Sequence, residues 1–250
     1  MRGDILKKKL MVLCAVAIMI STCLTGCKMN SGKIRFGSAG IGGTYQIFGD
    51  TFANLISSKS KKYNIEVKTT AGSAANLRLL SKDYIQMAVA QMDLINDAYN
   101  RTGIFENDKK YQGYRAVASL YTEACQIVVP ADSDIQSMDD LEGKKVCIGE
   151  EESGTEQNAL QILNAYGLNE RLVDTVNLNY TDAAKKLKSG DIDAFFCTAG
   201  VQTTVINELS KQCKIRLVSL DQKGVSRLKK SYKFYTEYTC LLYTSPSPRD

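Results

Sequence analysis

The sequence predicts an α/β protein built from two similar lobes. Helical and strand-like patterns alternate along the body of the chain, as in α/β folds. Residues 80–89 and 187–196 each read as a helix end, a polar turn and a short buried strand. This similarity favours two lobes of one kind, with chance likeness of a common turn as the alternative. A ligand is expected between the lobes, because open α/β sheets bind ligands at the carboxyl ends of their strands.

The first half of the body alternates strands with helices. Phe48, Phe52, Leu55 and Ile56 recur at helical spacing and indicate one face of a helix. Pro130 ends a strand because proline lacks the N–H that a strand ladder uses. We predict strands at residues 33–39, 65–69, 85–90, 116–120 and 126–129, and helices at residues 45–57, 74–81 and 93–99.

The second half repeats this alternation. Leu160, Ile162 and Leu163 give one helix its apolar positions, and Gly167 is placed to end it. We predict strands at residues 146–149, 176–178, 192–197 and 215–220, and helices at residues 156–166, 182–188 and 201–209.

The N-terminus is predicted to be a secretory signal. Arg2 and Lys7 precede an apolar run at residues 10–20 that is too short for a comfortable membrane span. Residues 24–27 (LTGC) have the pattern of a bacterial lipobox, in which Cys27 receives lipid; a plain signal peptide with a chance cysteine is the alternative. We therefore expect a lipoprotein signal peptide at residues 1–26, lipid attachment at Cys27 and a polar tether at residues 27–33.

The C-terminal residues 240–250 break the pattern of the chain before them. Two of the three prolines lie there, and no helix or strand pattern continues. The string resembles a translated sequencing adapter, with a genuine flexible tail as the alternative. The formal charge of +5 includes a net +3 from residues 1–26, so the body carries about +2. This charge gives no argument for a nucleic-acid partner.

The sequence contains no histidine. This excludes Ser-His-Asp and Cys-His nucleophiles, histidine-based zinc sites and histidine general bases. Cys125, Cys147, Cys197 and Cys213 lie in or beside apolar strands without CxxC spacing, so buried free thiols are favoured over metal ligands, with one disulfide left open. The sequence therefore predicts no catalytic residue and no metal site, and it favours binding over catalysis.

A glycine-rich turn at residues 37–44 (GSAGIGGT) has the spacing of a phosphate-binding P-loop. Gly43 stands where that motif has its lysine, so nucleotide phosphates would lack their cation. The remaining backbone N–H groups, with those of the following helix, suit a small carboxylate or another anion. A tight strand-to-helix turn without a ligand is the alternative.

Two more helix starts carry small polar residues. Ser153 to Thr155 precede one predicted helix, and Ser73 to Asn76 begin another. Capping of the helix's own N–H groups explains such residues without a ligand, but three such starts over both halves favour anion binding. For residues 150–152 (EEE), an exposed acidic loop is favoured over a cation site.

Six strings of the body resemble the TAXI-type solute receptors of tripartite, ATP-independent periplasmic (TRAP) transporters. Together they cover nearly all of residues 33–220, in family order. They are FGSAGIGGTYQIFG (36–49), TTAGSAANLRLL (69–80), MAVAQMD (87–93), YRAVASLYTE (114–123), DDLEGKKVCIGEEESGTEQNALQIL (139–163) and SGDIDAFFCTAG (189–200).

The resemblance implies a type II periplasmic-binding-protein fold of two lobes. The fold would be incomplete at the C-terminus, because family members continue further and return to the first lobe. Lobe 1 would comprise residues 34–125, lobe 2 residues 126–220, and a truncated return segment toward lobe 1 residues 221–239. Cys197 departs from the family pattern, which implies an altered pocket shape.

The resemblance also implies ligand-binding residues from both lobes. Backbone N–H groups and hydroxyls would hold carboxylates of the ligand, and Tyr45 would cover its apolar part. The implied residues are Gly43, Thr44, Tyr45, Ser73, Asn76, Gln91, Ser153, Gly154, Thr155, Ala199 and Gly200.

The function that the resemblance implies is an extracytoplasmic, lipid-anchored solute receptor in the bacterial cell membrane. It would bind a small organic acid or a glutamate-like amino acid and deliver it to a TRAP-type membrane permease, without a cofactor. The alternatives are a ligand-binding partner of a membrane sensor kinase and, less favoured, an enzyme of similar fold. No nucleophile–base pair stands at a recognisable spacing for the enzyme.

Overall fold

The computed structural model describes residues 33–201 and 203–239, and the predicted signal, Cys27 and residues 240–250 lie outside them. Within these described residues there are eight strands: β1 (Lys33–Gly37), β2 (Asn64–Lys68), β3 (Met87–Ala88), β4 (Ala124–Pro130), β5 (Lys145–Gly149), β6 (Asp174–Asn177), β7 (Ala194–Ala199) and β8 (Ile215–Leu217). The seven α-helices of the described residues are α1 (Thr44–Lys59), α2 (Ser73–Ser81), α3 (Met92–Asn100), α4 (Gly154–Ala165), α5 (Tyr180–Ser189), α6 (Thr204–Gln212) and α7 (Gln222–Ser231).

The first lobe is a small sheet of order β2-β1-β3 with helices packed against it. β1 and β3 run parallel, with Phe36 opposite Met87. The buried Phe36 ring contacts Phe48 and Phe52 of α1, with ring centroids 6.1 and 5.8 Å away. This aromatic cluster covers the part of the predicted apolar face of α1 that carries Phe48 and Phe52, whereas Leu55, predicted for the same face, is 53% exposed.

The second lobe is a five-stranded sheet of order β6-β5-β7-β4-β8. β5 runs parallel to β6 and β7, whereas β4 runs antiparallel to β7 and β8. The parallel strands direct their carboxyl ends to one edge of the sheet, where the loops before α4 and α5 begin.

Both faces of the second sheet are covered, which explains the nearly continuous apolar sequence of β7. Phe196 points into a core with Ile162 of α4, and Phe195 points into the opposite core with Leu187 and Ile206. Adjacent side chains of a strand point to opposite faces, so these two fully buried rings serve two separate cores.

The strand predicted at residues 116–120 is absent from the described structure. This segment has irregular backbone, and Val117 is 84% exposed. None of its residues pairs with a neighbouring strand in the described part of the chain, and a strand is stable only when its backbone groups are paired. The β-propensity of residues 116–120 was therefore not sufficient to form a strand.

Residues 221–239, which the sequence analysis assigned to a return toward lobe 1, contain an unpredicted helix on the second lobe. Helix α7 packs against α4, and its Leu228 joins the core that contains Phe196. Asp221 caps the helix by accepting a hydrogen bond from the Gly224 N–H at 2.6 Å.

The four cysteines of the described residues are free thiols, as the sequence predicted. Cys147 and Cys197 are buried, and burial raises the pKa of both. Within residues 33–201 and 203–239, no helix combines the length and apolar character needed to cross a membrane.

Candidate functional site

A cavity lies between the two lobes, and five helices begin at it. The first residues or N-caps of α1, α2, α3, α4 and α5 all line its wall. The cavity contains about 470 Å³ of space between atoms, its open mouth included. The lining residues are Ala39, Gly40, Gly43, Thr44, Tyr45, Ala71, Gly72, Ser73, Gln91, Tyr121, Glu123, Glu150, Ser153, Gly154, Thr155, Leu178, Asn179, Tyr180, Thr198 and Ala199.

The N-terminus of α4 supplies free backbone donors to this cavity. Ser153 is the N-cap, and its Oγ accepts from the Glu156 N–H at 2.9 Å. No hydrogen bond within the described residues uses the N–H of Gly154 or Thr155. These two donors, together with the positive end of the helix dipole, form an anion-binding arrangement at the cavity wall.

Gly149 makes the turn that brings Ser153 and Thr155 to the cavity. Its φ of +100° favours glycine, and a Cβ at this position would lie 2.8 Å from Thr155 Cβ and 2.9 Å from Ser153 Oγ. The strand-to-helix turn therefore closes only with glycine.

Replacing Gly149 by alanine is expected to lower the free energy of unfolding by about 2–4 kcal/mol, from backbone strain and overlap together. Gly190→Ala is the matched control, because Gly190 also has positive φ, +78°, but has nothing within 4 Å of its Cβ position. The control is expected to lose about 1–2 kcal/mol. Urea unfolding of both variants measures the difference, and equal losses would contradict the role given to Gly149.

Thr155 is fixed by a chain of hydrogen bonds through the second lobe. Tyr180 donates its hydroxyl to the Thr198 carbonyl at 2.9 Å, so the 2.5 Å contact with Thr155 is made by the Thr155 hydroxyl donating to Tyr180. The Thr198 N–H donates to Thr155 Oγ1 at 3.4 Å. The hydroxyl proton of Thr155 is therefore already used, and the backbone N–H is its free donor.

The lobes touch directly around the cavity. Gln91 Nε2 donates to Asn158 Oδ1 at 2.9 Å, and the Ala75 N–H at the start of α2 donates to the Glu152 carbonyl at 3.2 Å. Arg78 forms an ion pair with Glu152 at 2.7 Å. These contacts hold the lobes in a closed arrangement around the cavity.

A half-buried carboxylate, Glu123, is among the lining residues from lobe 1. Tyr45 donates its hydroxyl to Glu123 Oε2 at 3.0 Å, and the ring of Tyr121 meets that of Tyr45 edge-on at 6.5 Å. Burial raises the pKa of Glu123 to about 7, although the hydrogen bond from Tyr45 opposes the shift. Burial also raises the pKa of Tyr45.

The structure brings most of the predicted site residues together. Nine line the cavity: Gly43, Thr44, Tyr45, Ser73, Gln91, Ser153, Gly154, Thr155 and Ala199. Gly200 follows the last of these and lies outside the lining set, with Thr44 Oγ1 3.9 Å from its Cβ position. Whether these residues bind a ligand stays a prediction.

Asn76 lies behind the cavity wall rather than at it. The side chain is fully buried, and its Nδ2 donates to the carbonyls of Ser38 at 2.7 Å and Val89 at 2.9 Å. Asn76 Oδ1 accepts from the Thr70 hydroxyl at 2.8 Å. With its polar atoms used in this way, Asn76 joins β1, β3 and the turn before α2.

Sequence reasoning did not assign Tyr121, Glu123 or Tyr180 to the site, although all three line the cavity. Tyr121 and Glu123 come from the irregular segment before β4, and Tyr180 from the start of α5. Two sequence features could have indicated them. Glu123 is an acidic residue directly before the apolar strand β4, and Asn179, directly before Tyr180, caps α5 by accepting from the Asp182 N–H.

Residues 150–152 do not form the exposed acidic loop that was favoured from the sequence, because the three glutamates have different environments. Glu150 lines the cavity, and burial raises the pKa of its carboxyl. Glu152 pairs with Arg78, and Glu151 is exposed. No group of three or more Cys, Asp or Glu side chains within the described residues is placed to hold a metal ion.

The predicted TAXI assignment is wrong. The family model that matches the chain is that of the NMT1-like family, over residues 36–244. Solved structures with similar folds are those of sulfonate-, phosphonate- and amino-acid-binding proteins, and the TAXI receptors are a different family.

Three solved structures describe the likeness. The alkanesulfonate-binding protein SsuA from Xanthomonas axonopodis pv. citri, bound to MOPS, has a TM-score of 0.50 and 18% identity, over 75% of this chain and 60% of that one. The substrate-binding protein of an amino acid ABC transporter has a TM-score of 0.50 and 19% identity, over 77% of this chain and 80% of that one. A binding component of an ABC phosphonate transporter from Pseudomonas aeruginosa has a TM-score of 0.53 and 12% identity, over 80% of this chain and 74% of that one.

These similarities show the fold. The chain has the type II periplasmic-binding-protein fold, so the predicted α/β architecture of two lobes is confirmed. The chain spans about 60% of the length of the SsuA protein that it matches. The three structures named here are those of solute-binding proteins.

Proposed function

Because the chain belongs to the NMT1-like family, we propose that it is an extracytoplasmic receptor for a small carboxylate or amino acid, including glutamate-like ones. The observation that carries this proposal is the meeting of five helix N-termini at one cavity between the lobes. Helix N-termini offer backbone donors and positive dipole ends to an anion. The free N–H groups of Gly154 and Thr155 would hold a carboxylate of the solute.

Lobe closure is the proposed mechanism. The solute would bind to one lobe first, and the second lobe would close over it through the Gln91–Asn158 and Arg78–Glu152 contacts. The ligand shifts the equilibrium toward the closed state because it contacts both lobes only in that state. The proposed lobes are residues 34–125 and 126–220, joined where Glu123 leads into β4.

Delivery to a membrane permease follows from the same proposal. Two of the similar structures are components of ABC transporters, one for an amino acid and one for phosphonate. We extend a transport role to this chain, with the closed receptor docking on a permease. Lipid attachment at Cys27 would keep the receptor at the membrane, as the LTGC string supports.

Calorimetric titration of the purified protein with single acids tests the receptor role. We expect at least one amino acid or dicarboxylate of a panel to bind with 1:1 stoichiometry and to raise the melting temperature, because a ligand that binds only the folded state stabilises it. A neutral sugar is the control and is expected to give no heat. No heat and no melting shift with any acid would contradict the receptor role.

A further inference from the structure

The cavity has an unusual charge distribution for an anion site. Two carboxylates, Glu123 and Glu150, are among the described residues that line it, and no lysine or arginine is. Helix N-termini favour a negative group, whereas these carboxylates repel one. The wall therefore fits a ligand with a negative end and a positive end better than a ligand with negative charge alone.

The positive end has a defined position in the cavity. Glu123 is oriented by the Tyr45 hydroxyl on its Oε2, at 3.0 Å. The rings of Tyr45 and Tyr121 meet edge-on at 6.5 Å, and both tyrosines lie close enough to influence the pKa of this carboxyl. A carboxylate next to two tyrosines is a site for a cationic nitrogen.

Two further polar groups at the cavity lack partners. Gln91 Oε1 is buried and accepts no hydrogen bond within the described residues, although Gln91 Nε2 is bonded to Asn158. Thr198 is 9% exposed, and its hydroxyl has no oxygen or nitrogen partner there. A buried acceptor without a donor is costly, and an ammonium group has three N–H donors to offer.

From this geometry, and on the basis of the proposed function, we propose that Glu123 binds the amino group of the solute. Tyr45 is the positioning residue, and Gln91 Oε1 is a second acceptor for the same group. The receptor therefore selects amino acids over the 2-oxo and deaminated acids of the same carbon skeleton. The carboxylate of the amino acid lies at the N–H groups of Gly154 and Thr155.

Matched ligands test this selection directly. The wild-type protein is titrated with L-glutamate, 2-oxoglutarate and glutarate, and with corresponding triplets for other side chains. We expect the amino acid of a bound triplet to bind about 10- to 100-fold more tightly, the value of a hydrogen bond to a charged group. Equal or tighter binding of the oxo or deaminated acid would overturn the proposal while leaving the receptor role intact. Absence of binding to every acid would instead defeat the receptor role itself.

The direction of proton exchange is a second test and needs no variant. An ammonium group favours ionised Glu123, so binding lowers the pKa of this carboxyl below its free value of about 7 and releases a proton at pH 6.5. Affinity is then full above pH 7 and falls as the pH is lowered. A solute without an ammonium group would favour protonated Glu123 and cause proton uptake. Calorimetry in two buffers of different ionisation enthalpy gives the sign, and uptake with an amino acid would contradict the proposal.

Other titratable groups near Glu123 require a control. The groups that act on it are Tyr45, Tyr121, Asp93, Tyr180, Cys125 and Cys197, and Glu150 lies in the same wall. Glu123→Gln keeps the shape and an acceptor for Tyr45, and it is expected to weaken amino-acid binding about 10- to 100-fold and to abolish proton release.

Glutamate-to-glutamine substitutions at Glu151 and Glu150 complete the test. Glu151→Gln, at an exposed side chain outside the cavity, is expected to leave amino-acid affinity and proton release unchanged. If Glu150→Gln lost the preference for amino acids over the oxo and deaminated acids while Glu123→Gln kept it, the ammonium group would bind at Glu150 instead of Glu123. That result would overturn the proposal.

Discussion

Replacing Gly154 by valine is expected to weaken solute binding by about 100-fold, or about 2.7 kcal/mol. A Cβ at this position would lie 1.7 Å from Gln91 Oε1 and 2.4 Å from Gln91 Cδ. The Gln91 amide must then move, which breaks its bond to Asn158 across the lobes. The two valine methyl groups would also cover the N–H groups proposed to hold the carboxylate.

A graded series makes this result specific. Gly154→Ala adds one carbon, displaces the same amide and is expected to cost about tenfold in affinity. Gly200→Ala is the matched control, because its Cβ would meet its nearest neighbour, Thr44 Oγ1, at an ordinary 3.9 Å. Calorimetry with the best-binding acid measures all three variants. Equal affinities for Gly154→Val and wild type would show that the solute binds elsewhere.

Replacing Phe196 by alanine is expected to lower the free energy of unfolding by about 3–5 kcal/mol. The ring is fully buried between α4 and the second sheet, where Ile162, Val146 and Leu228 belong to the same core. Its removal leaves a cavity that the strands on both sides, β4 and β5, prevent from closing. Helix α7 is expected to loosen with it, because Leu228 loses a core neighbour.

Phe234→Ala is the control for the loss of a phenylalanine. Phe234 is 49% exposed, and its replacement is expected to change stability by less than about 1 kcal/mol. Urea unfolding of the two variants, with the slopes compared, measures the difference. A loss below about 1 kcal/mol for Phe196→Ala would contradict the placement of β7 at the centre of the second lobe.

Much of the fold was predictable because its signals are local. The strand predicted at 192–197 is β7 at Ala194–Ala199, and the helix predicted at 156–166 is α4 at Gly154–Ala165. The boundaries shifted by one or two residues because apolar runs specify an element better than its ends. Residues 116–120 show the limit, since a strand depends on a partner that local sequence does not describe.

The candidate site divides in the same way. Helix starts with small polar residues were recognisable in the sequence: Ser153 caps α4, whereas Ser73 is the first residue of α2 and accepts from the Gln91 N–H. Glu123 and Tyr180 reach the cavity only because the chain crosses between lobes and then folds back. Asn76 was assigned to the ligand because the sequence does not tell which carbonyls a side chain will meet.

The backbone amides of Gly154 and Thr155 give the most direct test of the central claim, that helix N-termini hold the solute between the lobes. Amide NMR spectra of the labelled protein, recorded with and without the best-binding acid, report on each N–H separately. We predict large downfield proton shifts at these two amides on saturation, as expected for N–H groups that gain a charged acceptor. Saturable binding that leaves both amides unshifted would contradict the claim.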